Sequence, residues 1–319
     1  VLRISNLPVN FGSGTLSAHL SSGIFCLNVA GNAWGTMDLS GGTVRTDVPG
    51  AFPASSTLQL QTGSTVDLNG NSQTVGQLKN ANATVGSRLI TSATPATLTV
   101  NQSATSYFDG VLSGALALTK AGNGTLTLSN ALNTLSGPIT VQGGTLTVAP
   151  ATRLGNSTNI TVTSGTLALN AANALTNTAT LWIADGGAKV SLAAGVTQAV
   201  ERLYLGGQRK GRSTWGASGS GAEYVDDTHF AGSGVVLVSS GVSTVWDGGG
   251  AQSAASNPEN WDYDVRPAFD GSATLSFGSG GDEAAIDVPV ALSGLKLERD
   301  ADFQIRSEEH TSELQSHLT

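Results

Sequence analysis

An all-β chain wound as a right-handed, single-stranded parallel β-helix (β-solenoid) is the fold class expected here, and three observations on the sequence carry the solenoid part of that expectation. A short phrase recurs about every 20 residues. Inside each phrase aliphatic residues alternate with Thr or Ala. Between phrases the chain is punctuated by Gly or Asn-Gly. The phrase is clearest in Leu118-Thr119-Lys120-Ala121-Gly122-Asn123-Gly124-Thr125-Leu126-Thr127-Leu128, and it returns in Ile139-Thr140-Val141-Gln142-Gly143-Gly144-Thr145-Leu146-Thr147-Val148. Related copies are Gly41-Gly42-Thr43-Val44, Gly63-Ser64-Thr65-Val66-Asp67-Leu68, Thr97-Leu98-Thr99-Val100 and Ile160-Thr161-Val162-Thr163-Ser164-Gly165-Thr166-Leu167-Ala168-Leu169.

Each element has a physical reason. A four-residue strand cannot bury its apolar face alone, but like strands stacked about 4.8 Å apart satisfy the backbone ladder and set Leu on Leu along the axis. Thr and Val suit a pleated surface because they are β-branched. Asn69-Gly70, Asn123-Gly124 and Gly143-Gly144 are expected to supply positive φ at corners. Asn101, Asn130 and Asn170, just after strands, are candidates for stacked polar ladders or for caps of local turns. About 300 residues in coils of roughly 20 predict on the order of 14 coils, a rod of about 65 to 70 Å. The one helical candidate, 171–174, is too short to matter.

These phrases, with Gly137-Pro138 ahead of Ile139, resemble the autotransporter-associated β-strand repeat of large bacterial surface proteins. The resemblance covers most of the chain. Thr65-Val66-Asp67-Leu68-Asn69-Gly70 followed by Gln73-Thr74-Val75-Gly76 resembles a second recurrent phrase. Leu203-Tyr204-Leu205-Gly206-Gly207, through Trp215-Gly216-Ala217 to Gly232-Ser233-Gly234-Val235-Val236-Leu237-Val238, resembles the phrase that closes such an array. The resemblance implies the right hand of the helix and an exported, elongated passenger segment, sometimes adhesive, with no prescribed catalytic residues.

Three segments are expected. Residues 1–245 read as a repeat array with its terminal coils. Residues 246–305 read as the start of a second array, with Trp246 and an irregular Ser-, Asn- and Pro-rich loop at 251–267. Residues 306–319 look like a translated sequencing-library adapter and are excluded as non-native. With no initiator Met or leader before Val1, the sequence reads as an internal fragment.

Composition narrows the function. Charged residues are 12% of the chain, and 41 of 319 residues are Gly. The alternation nonetheless argues for a folded chain. The net charge of −8 falls to about −6 without Arg306 and the glutamates at 308, 309 and 313; this modest acidity disfavours nucleic acid as a partner. No apolar run approaches the roughly 18 to 20 residues of a membrane-spanning helix. The single cysteine, Cys26, excludes an internal disulfide and reads as a small buried hydrophobe.

The rival to a passive segment is a β-helical polysaccharide hydrolase or lyase. Glycoside hydrolysis needs two carboxylates facing one groove, roughly 5 to 9.5 Å apart. Between Asp109 and Asp185 there is no Asp or Glu, and the only bases are Lys120 and Arg153. Carboxylates gather instead at 223–227, near His229, and at 247–270. Asp226-Asp227 lacks the Gly-His-Gly and Arg-x-Lys companions of pectin hydrolases. Gly280-Gly281-Asp282-Glu283 is only a fragment of a calcium-binding repeat. His19 and His229 have no Cys partner at motif distance. No catalytic residue, cofactor or metal is therefore predicted.

Trp215, Trp246 and Trp261 are candidates for a sugar-stacking platform, with packing at array junctions as the alternative. Lys210 and Arg212, in the basic turn beside Trp215, are the accompanying ligand-contact candidates. The function expected is that of a structural or adhesive passenger of a secreted bacterial surface protein, extracellular and monomeric. Its partners would be extracellular glycans or matrix proteins, and this segment would not insert in a membrane.

Overall fold

The computed structural model describes residues 2–4, 7–81, 87–241, 245–251, 253–271, 273–277 and 284–297. They fall in two compact units, Val1–Gly241 and Val242–Thr319. Among the described residues the helices are two single 3-10 turns, Pro258–Asn260 and Asp262–Asp264. Residues 171–174 form a turn.

The first unit is a β-solenoid. One lateral face is a ladder of parallel strands: Leu2–Ile4, Ile24–Leu27, Thr43–Thr46, Thr65–Asp67, Leu89–Asn101, Val111–Ala121, Ile139–Val141, Asn159–Val162, Thr180–Ile183 and Arg202–Leu205. At about 4.8 Å per step such a ladder is about 43 Å long. With the three strands of the second unit this gives about 13 coils among the described residues, close to the number that division by coil length predicts. After Leu205 the chain leaves the coil path, and residues 206–229 are spent on a cap. A second ladder begins with Thr15–His19, Thr36–Ser40, Thr57–Leu60 and Gln77–Asn80. A third runs through Ser106–Phe108, Thr125–Leu128, Thr145–Val148, Thr166–Leu169, Lys189–Leu192 and Phe230–Gly232.

Register follows the alternation seen in the sequence. In the first ladder Leu98, Leu118, Ile139, Ile160, Leu181 and Leu203 stack inward in one column. In the third ladder Leu126, Leu146, Leu167, Val190 and Phe230 do the same. All are almost fully buried. Each such side chain contributes roughly 1.5–3 kcal/mol of hydrophobic burial. Cys26 lies in this interior, fully buried and free.

Corners are held in two ways. Glycine acts where backbones approach or φ turns positive, and here one expectation needs correction. Asn69 (φ 47°), Gly70 (φ 79°) and Gly144 (φ 58°) adopt the left-handed region, but the turn around Asn123 takes it at Gly122 (φ 71°) instead. Gly124 is required by space: a Cβ there would lie 2.3 Å from the carbonyl oxygen of Ala104 in the coil below. The second device is the buried amide. Gln73 accepts from Phe52 N–H (3.0 Å) and donates to Val48 O (2.8 Å). Asn133 accepts from Leu112 N–H (2.8 Å) and donates to Arg153 O (2.7 Å). A side-chain amide reproduces the donor and acceptor of a peptide unit, so it continues the ladder where the backbone bends away. Asn130 caps locally: its Oδ1 accepts from Leu132 N–H at 2.8 Å while Nδ2 donates to Asp109 O at 2.6 Å.

Among the described residues of this unit one lysine and one arginine are buried. Lys120 occupies an aliphatic column, between Val100 and Val141 in register. Its ammonium donates to three backbone carbonyls, Ala121 (2.9 Å), Gly122 (3.0 Å) and Gly143 (2.9 Å), which matches its three N–H groups. Burial pushes its pKa down to about 8. Arg88 lies where Gln77–Asn80 meets Ser106–Phe108; its Nη1 pairs with Asp109 Oδ1 at 2.6 Å and its Nε donates to Leu60 O at 2.9 Å.

The solenoid closes with antiparallel strands. Gln208–Lys210 folds back on Arg202–Leu205, and Thr214–Gly216 pairs antiparallel with Val235–Val238, which itself lies parallel on Thr197–Val200. These strands cover the open edge that a parallel ladder would otherwise present. The fold-back uses the segment that resembles an array-closing phrase.

The second unit contains three parallel strands, Val245–Trp246, Thr274–Phe277 and Gly294–Leu297. Its core is aromatic. Trp246 and Trp261 meet edge to face at 5.2 Å, and Phe277 lies 5.8 Å and 6.0 Å from them. Asn260, fully buried, fixes the loop by accepting from Gly250 N–H (2.8 Å) and donating to Ala254 O (2.9 Å).

Candidate ligand-contact surface

Outward-facing positions stack as strictly as inward ones. On the first face a row of threonines runs Thr74, Thr99, Thr119, Thr140, Thr161, one per coil. The next two coils place Trp182 and Tyr204 in the same row. Their rings are parallel, 5° apart with centroids separated by 3.5 Å, and Trp182 is 37% exposed.

The aromatic candidates chosen from the sequence lie elsewhere and are turned inward. Trp215 is 5%, Trp246 4% and Trp261 0% exposed. Trp215 stacks on Tyr224 at 4.7 Å, donates from Nε1 to Gly211 O at 3.1 Å, and carries Lys210 Nζ 5.7 Å from its ring centroid. Trp261 donates to Ala255 O at 2.9 Å. The basic turn is tied down as well: Arg212 N–H donates to Gly241 O at 2.6 Å and Arg209 Nη2 to Ser240 Oγ at 3.3 Å. These three indoles are packing elements. They offer no open face for a sugar, because hairpin and loop segments fold over them. Trp182 and Tyr204 were missed, although Thr180-Leu181-Trp182-Ile183 carried the signal: Leu181 and Ile183 take the inward phase and leave Trp182 outward.

The acidic cluster is organised around His229. Its Nδ1 lies 2.8 Å from Asp226 Oδ2 and its Nε2 lies 3.1 Å from Asp185 Oδ1. Burial opposes the charge on Asp226. Hydrogen bonds from the His229 ring and backbone and from Thr228 N–H, with the charge of His229, outweigh it and hold the carboxyl below the usual carboxylate range. Lys189 donates to the carbonyls of Asp227 (2.6 Å) and Thr228 (3.0 Å). The cluster works as a clip that fastens the loop before Phe230 to the coil containing Asp185. Both ring nitrogens thus lie within hydrogen-bond distance of carboxylates. Glu223 is likewise occupied, by the hydroxyl of Ser213.

Among the described residues no group of three or more His, Cys, Asp or Glu side chains is placed to hold a metal ion. The sequence 280–283 lies outside the described residues. Among the described residues no helix is long and apolar enough to cross a membrane.

Fold and surface together define a repeat-built β-solenoid that presents ordered lateral rows and closes its own end. Residues 118–148 match the family model of the passenger-associated transport repeat. Over 204 residues, 62% of the chain, the sequence is 31% identical to a curated protein named adhesin BmaC autotransporter, from Brucella suis biovar 1 (strain 1330). The chain spans 4% of that relative's length. No solved structure matches.

Proposed function

We propose that this chain is a structural and adhesive passenger segment displayed outside a bacterial cell, acting by presentation rather than by catalysis. The observation that carries the proposal is the match of residues 118–148 to a passenger repeat, in a region whose coils stack in register. The name of the 31% identical relative, an adhesin, supports the adhesive half. Outward rows of small hydroxyl side chains provide a long surface on which weak contacts add through multivalency. The acid-free span from Asp109 to Asp185 favours display over hydrolysis. Extracellular glycans or matrix proteins are the partners that fit; the acidic chain does not suit nucleic acid. The antiparallel cap favours a monomer, since it blocks end-to-end strand pairing.

The second unit is read as the start of a further array, from about residue 246, on the strength of its three in-register parallel strands. The test is to fuse the chain to an outer-membrane β-barrel in a non-adherent Gram-negative host. Protease digestion of intact cells should release it, and adhesion to matrix-coated surfaces should rise. A chain that stays protected inside the cell, or one that is exposed without changing adhesion, would overturn the corresponding half of the proposal.

A further inference from the structure

We infer that the Trp182–Tyr204 stack is a binding site for an uncharged sugar ring. This deepens the display reading and rests on it. Four of the five tryptophans are buried: Trp34, Trp215, Trp246 and Trp261 are at most 5% exposed, whereas Trp182 is 37% exposed. Its position does not call for an aromatic residue. The same outward position is threonine on the five preceding coils, which satisfies strand geometry without setting an apolar ring in water.

The pair is built as a platform. Two rings 5° from parallel in adjacent coils hold each other flat. A ligand would therefore immobilise little that is not already fixed, which lowers the entropic cost of binding. Beside the stack an open depression of about 430 Å³ is lined by Asn159, Thr161, Trp182, Ile183, Ala184 and Gly207. That volume is in the range of small-molecule sites. Asn159 and Thr161 stand together on its rim, with Oδ1 and Oγ1 3.5 Å apart.

The chemistry selects the ligand. A pyranose has one face rich in C–H groups, which packs on an indole, and an equatorial belt of hydroxyls, which needs donors and acceptors at the edge. The amide of Asn159 and the hydroxyl of Thr161 supply both. No charged side chain lines the depression, and Arg202, two residues before Tyr204, pairs with Glu201 at 2.7 Å. A uronic acid would find no cation in the site, so a neutral hexose is favoured. Repeated along a polysaccharide, even millimolar single-site binding would support attachment.

The test uses the whole chain with cellohexaose, maltohexaose and mannohexaose, and hexagalacturonate for comparison, read by calorimetry and by saturation transfer to the sugar C–H protons. At least one neutral hexaose should bind, and W182A should weaken it by about tenfold or more. W182F should retain part of the affinity, and the circular dichroism of both variants should match the parent. No binding of any neutral hexaose, equal binding by W182A, or tighter binding of hexagalacturonate would overturn the inference. So would a sedimentation shift abolished by W182A, which would assign the stack to self-association. If W182A cells carrying the displayed chain still adhere to matrix, the sugar site fails or is dispensable while the display reading stands; loss of surface exposure in the parent would remove both.

Discussion

Coils between Leu118 and Leu169 and the segment between Leu205 and Gly241 belong to one unit but are held by different forces. In the former, strand lies on strand in unbroken register, Leu126 on Leu146 on Leu167, and glycines let the corners nest. In the latter the chain reverses, and individual side chains do the fastening: Trp215 on Tyr224, Arg209 to Ser240, His229 between two carboxylates. A repeat spreads its stability evenly, through nearest-neighbour terms. A closing segment has no further coil to stack on, so its stability is concentrated in a few specific contacts.

That contrast can be broken at defined places. The largest effect is expected where the lateral ladders meet. Asp109→Ala removes the carboxylate that pairs with the buried Arg88 guanidinium and should cost about 3–5 kcal/mol, measured by chemical denaturation. A loss below about 1 kcal/mol would mean that the carbonyl contacts of Arg88 suffice. Next comes a matched glycine pair. Gly144→Ala in the array sets a Cβ 2.2 Å from the Gly124 carbonyl oxygen at a positive φ and should cost about 3 kcal/mol. Gly207→Ala near the cap meets nothing within 4 Å and should cost only its left-handed backbone, about 1–2 kcal/mol. Equal losses would deny that nesting distinguishes the two regions.

Smaller effects depend on pH. Lys120 has its pKa pushed down to about 8 from 10.5, so the folded chain gives up that proton before the unfolded chain does. The penalty of the buried charge is in full force below about pH 8, and stability should rise as pH increases from there to about 10.5. Lys120→Met should flatten that rise; an unchanged slope would exclude Lys120 as its source. In the cap the sign is opposite. The lowered pKa of Asp226 contributes stability above the ordinary carboxylate range that is lost as pH falls through the folded value. The advantage of the parent over Asp226→Asn should therefore hold from pH 7 down to the ordinary carboxylate range and shrink as pH falls below it, and hydrogen exchange at Val190 and Phe230 would locate it.

Legibility followed the same division. Strands, their inward and outward phases and the stacking axis were readable because a period of two and a repeat of about 20 residues are local properties. The same phase places Lys120 inward, after Leu116 and Leu118, and Trp182 outward. The cap was readable only as a phrase. Nothing local to Trp215 or Trp261 states that Tyr224 or Phe277 will cover it.

By itself, then, the sequence determined the solenoid, the identity of each column and the turn positions. Tertiary structure decided which corner glycines answer to space rather than to φ, as at Gly124. It also decided that His229 joins Asp226 to Asp185, 44 residues away, and that Trp182, alone among the tryptophans, keeps a face to solvent. The physical reason is range. Periodic alternation is a short-range constraint written in each coil, whereas close approach, side-chain fastening and exposure depend on which distant segment comes to lie alongside.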